Sequence, residues 1–221
     1  MKIVVTSCDK NADTWYPFHH CMEKYWPNHP KVVYSTETKV NPYYTTVCKD
    51  YPVSAWTRRM RETLETIRDK EVLLIVDDAF IRRPVDVVRV ANAIDTMKKD
   101  NTIACINFEK MYDLAVKDIG YEGFFLRQHG APWEVSIQCG LWDRKKLIDV
   151  LEGDMDPWEV ERIQPSKGYK YLINSGDYII DYGYVTHVYF GLHNGKWCKE
   201  VVPFFEKEGI EVDFSKRGFN P

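Results

Sequence analysis

Apolar residues in this chain fall into short continuous runs separated by stretches in which they recur every three or four positions. The first run, Lys2 to Thr6 (KIVVT), reads as a strand. The polar segment SCDKNADT follows, and then WYPFHHCMEKYW, which predicts a helix starting near Pro17. A second strand is expected over Lys31 to Ser35, and STETKVNPYYTT reads as a polar, aromatic-dotted loop. From Ser54 onward Trp56, Met60, Leu64 and Ile67 repeat at helical spacing, so SAWTRRMRETLETIRDK predicts an amphipathic helix. That helix leads into Val72 to Val76, an unbroken apolar run of the kind that forms a strand buried on both faces. Strand, helix, strand, helix, strand is the order of a parallel, nucleotide-binding type of sheet.

The second half is less regular. Val87 to Lys99 predicts a helix, Thr102 to Phe108 a strand, and DIGYEGFFLRQHGAPWE a mixture of strand and loop. In VSIQCGLW the residues Val135, Ile137, Cys139 and Leu141 alternate with polar ones, which predicts a half-buried strand. Asp143 then caps a helix through Leu151. No internal repeat or low-complexity segment interrupts the pattern. The expectation is one compact α/β domain with two functional halves.

Composition narrows the function classes. With 221 residues, 44% of them hydrophobic and 14% aromatic, the chain can bury one sizeable core. The formal net charge of −3, with signs interspersed, provides no broad basic field, so nucleic acid is not the expected partner. Six cysteines without a CxxC pair or a close His/Cys grouping read as free, mostly buried thiols in a reducing compartment, not as a zinc site. MKIVVTSCDKN enters a strand at once, without the apolar core of a signal peptide, and no stretch approaches the ~20 apolar residues of a membrane span. A cytoplasmic protein is expected. The end, SKRGFNP, is polar and reads as the start of a linker as readily as a terminus, which leaves a longer multidomain parent open.

The candidate chemistry begins at Asp77 and Asp78, two like charges directly after the apolar run. One reading is a solvated loop or helix cap. The other is a cation or phosphate site at the carboxyl end of a parallel strand, where open α/β sheets place their ligands. In DMDPWEVE, Asp156, Pro157 and Glu159 match an N-cap, a first-turn proline and the reciprocal glutamate of a capping box. Glu161 is not explained by the cap and lies about 200° around the helix from Glu159, which makes it the candidate base. Trp142 and Trp158 flank this region and are candidates for stacking on a sugar ring, although tryptophan is more often simply buried. His187 and His193 precede GKW, where an imidazole is available to complete a metal site and Lys196 to meet phosphate. Arg58 and Arg61 have i,i+4 spacing to Glu62 and Glu65, a solvated salt-bridged face by default, with Arg58 near enough to the helix start to reach a donor phosphate.

Taken together, VDDAF, CGLWDRKKLIDVLEGDMDPWEVE and THVYFGLHNGKW resemble glycosyltransferases of the GT-A fold. From MKIVVTSCDKN onward the chain is similar to the N-terminal glycosyltransferase domains of larger chlorovirus proteins that build the capsid glycan. The resemblance implies a GT-A-like single domain over residues 1–221, with a central mixed, mostly parallel sheet flanked by helices. About 1–105 would bind the nucleotide sugar and about 106–221 the acceptor. It implies a UDP-linked, rhamnosyl-type donor, a glycan acceptor and an inverting outcome in the host cytoplasm. Asp77 and Asp78 take the place of the DxD motif that holds Mn²⁺ or Mg²⁺ on the pyrophosphate, with His193 as a further ligand. Thr6, Ser7 and Asp9 stand where uracil and ribose lie, with Arg58 and Lys196 toward the phosphates. Glu161, or its neighbours Asp156 and Glu159, would be the catalytic acid near the acceptor hydroxyl. The motif departs from the family pattern in that Ala79 follows the pair; as the last acid, Asp78 becomes the metal ligand and Asp77 contacts ribose or supports it. A non-catalytic carbohydrate-binding module is the alternative and leaves Asp77, Asp78 and Glu161 without a task. A sugar nucleotidyltransferase is disfavoured because TSCDKNADT lacks the glycine-rich loop such an enzyme needs.

Overall fold

The run after Glu71 forms the middle of a broad sheet. A computed structural model describes residues 1–109, 116–163, 165–183 and 191–221; His187 lies outside the described residues. β1 (Lys2–Thr6), β2 (Val32–Thr36), β3 (Thr45–Cys48) and β4 (Glu71–Val76) are parallel neighbours in the spatial order β3-β2-β1-β4. Beyond β4 the sheet continues through β5 (Ile103–Asn107), β6 (Val116–Lys117), β7 (Phe124–Arg127), β8 (Gly140–Asp143) and β9 (Lys170–Asn174), in the order β8-β5-β9-β7-β6. β8 runs antiparallel between β4 and β5, β9 is parallel to β5, and β7 is antiparallel to β9. The carboxyl ends of β1, β2, β4, β5 and β9 therefore share one edge.

Alternate residues of the central strands face two separate cores, as the strand period of two requires. Ile3, Val5, Leu73 and Ile75 pack on α1 (Trp15–Tyr25), α3 (Val87–Lys99) and α6 (Val201–Glu208) through Phe18, Met22, Val90 and Phe205. Val4, Val72 and Leu74 pack on α2 (Trp56–Glu65), α4 (Arg144–Val150) and α5 (Pro157–Ile163) through Met60, Leu64, Leu147 and Val160. This is the helix-flanked, mostly parallel α/β architecture expected from the sequence. Caps fix the helix entries: Asp86 accepts from Arg89 N at 3.0 Å, and Asp143 from Lys145 N at 3.0 Å and Lys146 N at 3.2 Å.

Two expectations are corrected. The alternating segment becomes a strand only from Gly140, and β8 is covered on both faces because helices lie on both sides of the sheet. STETKVNPYYTT does not stay a loop, since its last residues enter β3. The polar end packs back on the domain: Asn220 N donates to Trp197 O at 2.8 Å and Phe214 packs edge-on against Trp197, 5.6 Å between centroids. Aromatic burial outweighs the polarity of the segment. The six thiols are unpaired, four of them buried. Among the described residues no helix is long and apolar enough to cross a membrane.

Candidate active site

β4 delivers Asp77 and Asp78 to the carboxyl edge of the sheet, and the two are held differently. Asp77 is 3% exposed. Its Oδ2 accepts from the Ser7 hydroxyl at 2.5 Å and its Oδ1 from Asn11 Nδ2 at 3.1 Å, while Trp15 Nε1 donates to Ser7 Oγ at 2.8 Å. Burial, followed by the Asp78 charge, pushes the Asp77 carboxyl up to about 8. Asp78 is partly exposed. Its Oδ2 accepts from the Leu192 amide at 3.1 Å, and among the described residues no other residue hydrogen-bonds Oδ1. Its carboxyl is raised by burial against that hydrogen bond. Burial thus disfavours the charged form at both members of the pair, and the neutral donors Ser7 and Asn11 hold Asp77 while the Leu192 amide holds Asp78.

Leu192 opens a hairpin of β10 (Leu192–His193) and β11 (Lys196–Trp197). Asn194 and Gly195, at φ 51° and 74°, make the left-handed two-residue turn that such hairpins favour. Gly191 brings the hairpin onto the acid pair: a Cβ there would lie 2.2 Å from the Asp78 carbonyl oxygen, so only glycine permits the approach. His193 and Lys196 face one another across the hairpin. The structure thus brings Ser7, Asp77, Asp78, His193 and Lys196 into one region.

The loop after β1 is built from its own side chains. Thr6 Oγ1 accepts from Trp56 Nε1 at 2.7 Å. Asp9 accepts from Thr38 N, Thr38 Oγ1 and Lys39 N at 3.1, 2.5 and 2.9 Å, and despite the cost of burial these bonds hold its carboxyl below the usual range. Buried Arg59 bonds Glu37 and donates to Ser7 O at 2.8 Å, tying this loop to α2. Arg58 points elsewhere: it pairs with Asp154, with Nε–Oδ1 at 3.0 Å, while Glu62 accepts from Tyr51 at 2.7 Å and Lys49 at 2.7 Å. The expected Arg58–Glu62 pair gives way to partners outside the helix. A cleft of about 470 Å³ between α2 and α4, lined by Arg58, Glu62 and Asp149 among others, contains neither Asp77 nor Asp78.

A second group of acids lies in the other half. Asp156 and Glu159 form the reciprocal cap read from the sequence, with Glu159 Oε2 accepting from Asp156 N at 2.9 Å and Asp156 Oδ1 from Glu159 N at 2.7 Å. Glu161 turns inward, where Oε1 accepts from Ser136 Oγ at 3.1 Å and Ile137 N at 3.0 Å, and burial raises its carboxyl. Near it in charge are Glu109, two residues past β5, and Arg127, at the end of β7. Glu109 is 2% exposed, its carboxyl is pushed up to about 7 by burial, and its Oε1 has no partner among the described residues. Burial lowers the Arg127 guanidinium, which donates to Trp133 O and, at 3.4 Å, to Glu134 O. Since adjacent strands are ~4.8 Å apart, β5 lies roughly 10 Å across the sheet from β4 along the shared edge.

The two tryptophans separate. The expectation that Trp142 offers a face to an acceptor sugar is corrected: it is 0% exposed, with its indole over Gly140, where a Cβ would meet Trp142 Nε1 at 3.1 Å. Trp158, on α5, is 67% exposed. Sequence reasoning missed Asn11, Glu109, Arg127, Gly191 and Arg217. Glu109 had a signal, because it follows an expected strand just as the aspartates do; so did the hairpin, through its Asn-Gly pair. Arg217 had none, since Asp13 and Asn11 lie some two hundred residues away.

Among the described residues no three His, Cys, Asp or Glu side chains converge in a way that holds a metal unaided. Both oxygens of Asp77 are engaged, which leaves Asp78 Oδ1 as the open carboxylate oxygen. A hard cation with one protein carboxylate, filling its sphere with phosphate oxygens and water, suits that donor set.

No protein-family model matches the chain, and no curated protein matches it. Solved structures similar to it include glycosyltransferases and nucleotidyltransferases. S. aureus TarS (residues 1–349) has TM-score 0.49 at 9% identity, covering 80% of this chain and 58% of that one. The bifunctional IspDF of Campylobacter jejuni has TM-score 0.47 at 14% identity, covering 80% of this chain and 50% of that one, so the present chain spans about half its length. The 2-C-methyl-D-erythritol 4-phosphate cytidylyltransferase of Thermus thermophilus has TM-score 0.45 at 12% identity, covering 83% and 92% of the two chains. The likeness is one of fold, and no residue's role is carried over from it.

Proposed function

We propose that this chain is a glycosyltransferase that moves a sugar from a UDP-linked donor to a glycan acceptor. The donor would be held by about 1–105 and the acceptor by about 106–221. The observation that carries the reading is Asp78: a partly exposed carboxylate with an open oxygen, at the carboxyl end of a parallel strand, beneath a hairpin bearing His193 and Lys196. A binding module would give that oxygen no task. A Mn²⁺ or Mg²⁺ ion on Asp78 would neutralise the charge that develops on the departing diphosphate. Asp77, sealed by Ser7 and Asn11, supports Asp78 and keeps the pair from carrying two adjacent charges. The loop carrying Ser7 and Asp9 borders the nucleoside.

Glu161 is assigned as the base that takes the proton of the acceptor hydroxyl, the simplest route for an inverting attack. Its raised carboxyl makes the ionised form a stronger proton acceptor, and Ser136 and Ile137 fix its orientation. Exposed Trp158, on the same helix, is available to the acceptor. A rhamnosyl-type sugar and a chlorovirus capsid glycan as product are the finer assignment, resting on the sequence resemblance. The test is a screen of nucleotide sugars for protection against thermal unfolding, because a ligand at a hundred times its Kd stabilises the native state by ~2.7 kcal/mol. UDP-linked sugars with Mn²⁺ are expected to raise Tm and to be turned over. Protection by free glycans alone, without response to any nucleotide, would favour the binding module.

A further inference from the structure

Arg217 lies in the returning C-terminal strap, 11% exposed at its side chain. Its guanidinium grips Asp13 bidentately, with Nε–Oδ2 at 2.7 Å and Nη2–Oδ1 at 2.5 Å. It also donates to Asn11 Oδ1 at 3.1 Å, to Lys10 O, and to Gly195 O at 3.2 Å. These partners belong to two different segments. Lys10, Asn11 and Asp13 form the 3₁₀ segment after β1 (Asp9–Thr14), whereas Gly195 is in the turn of the β10–β11 hairpin. Each segment holds one of the two aspartates, since Asn11 Nδ2 donates to Asp77 and Leu192 N to Asp78.

A guanidinium can only donate, so it requires the carbonyl end of the Asn11 amide and thereby turns the NH₂ end toward Asp77. One residue thus sets the donor that faces Asp77 and anchors the turn of the hairpin whose first strand faces Asp78. We infer that Arg217 is a positioning residue of the donor site, which locks the β1 loop to the hairpin so that Asp77 and Asp78 keep their different environments. Its Nε, Nη1 and Nη2 each donate to protein oxygens, so it acts through Asn11 and the hairpin. The inference rests on the reading of this site as a nucleotide-sugar site, and it places the strap within the working part of the chain.

The test compares wild type with Arg217→Ala, Arg217→Lys and Phe219→Ala in the full chain. The last variant loosens the strap's aromatic packing, where Phe219 lies 5.2 Å from the Phe214 ring, and leaves the cation in place. Two quantities are read: hydrogen exchange across 191–198 and 9–14, and UDP affinity with Mn²⁺. Arg217→Ala is expected to speed exchange in both segments and to weaken UDP binding by about 10- to 100-fold, the usual cost of losing a group that orients a ligand-bearing residue. Arg217→Lys should recover only part, because an ammonium cannot reproduce the planar fork. Phe219→Ala should lower Tm with a smaller change in affinity than Arg217→Ala. Unchanged exchange in Arg217→Ala, unchanged UDP affinity, or full recovery by lysine would overturn the inference. Wild type that binds no UDP would overturn the reading of the site itself, an outcome distinct from those three.

Discussion

The two acid groups of this molecule are built in opposite ways. At the end of β4, one carboxyl is sealed by neutral donors and its neighbour is left with an open oxygen. In the second half of the chain, Glu109 and Glu161 are both turned inward near the buried Arg127 guanidinium. The first arrangement leaves a carboxyl oxygen available to an external ligand. The second raises the affinity of carboxyls for protons, which suits proton transfer better than cation binding. Burial acts on both groups, and what distinguishes them is whether any oxygen remains accessible.

The sharpest break in that comparison comes from removing the proposed base. Glu161→Gln keeps the bonds from Ser136 and Ile137 but cannot take a proton, so transfer should fall by ~10²- to 10⁴-fold with UDP affinity intact. If Glu109→Gln produces that loss and Glu161→Gln does not, the base is Glu109. Gly191→Ala probes the other region: with 2.2 Å between the new Cβ and a backbone oxygen, the hairpin must shift off Asp78. The expected cost is ~1–3 kcal/mol in denaturant unfolding, as for overpacking generally, together with weaker nucleotide binding.

Protonation offers a third test. Asp77 loses its proton near 3.8 when unfolded and near about 8 when folded, so between those values the native chain binds one proton more than the unfolded chain. Stability should therefore fall as pH rises through that window and level off above about 8. Glu109 adds to the fall between 4.5 and about 7. Asp77→Asn should flatten the upper part of the profile, a change on the order of a few °C in Tm because ~1 kcal/mol moves Tm by about 2–4 °C at this chain length. The smallest effect is expected for Glu159→Gln, where the amide retains an acceptor oxygen for the cap. Thermal melts should show only tenths of a kcal/mol lost and near-normal transfer.

Much of the first region was legible because its determinants are local. An apolar run followed by two acids specifies both a buried strand and what stands at its end, and the capping box of α5 needed only three residues to be recognised. What escaped depends on tertiary placement. The edge strand β3 is too exposed on one side to show an apolar run, and the burial of Trp142 follows from β8 being inserted between β4 and β5. Glu109 acquires meaning only when β5 ends on the same edge as β4. Arg217 reads as a surface cation in a polar tail until the chain returns it to Asp13.

The central claim is that Asp78 holds a cation against a nucleotide diphosphate, and calorimetry of UDP with and without Mn²⁺ tests it most directly, on wild type and Asp78→Ala in parallel. The account predicts that Mn²⁺ tightens UDP binding to wild type and leaves binding to Asp78→Ala unchanged. Mn²⁺-dependent tightening that survives in Asp78→Ala, or wild type indifferent to the metal, would contradict it.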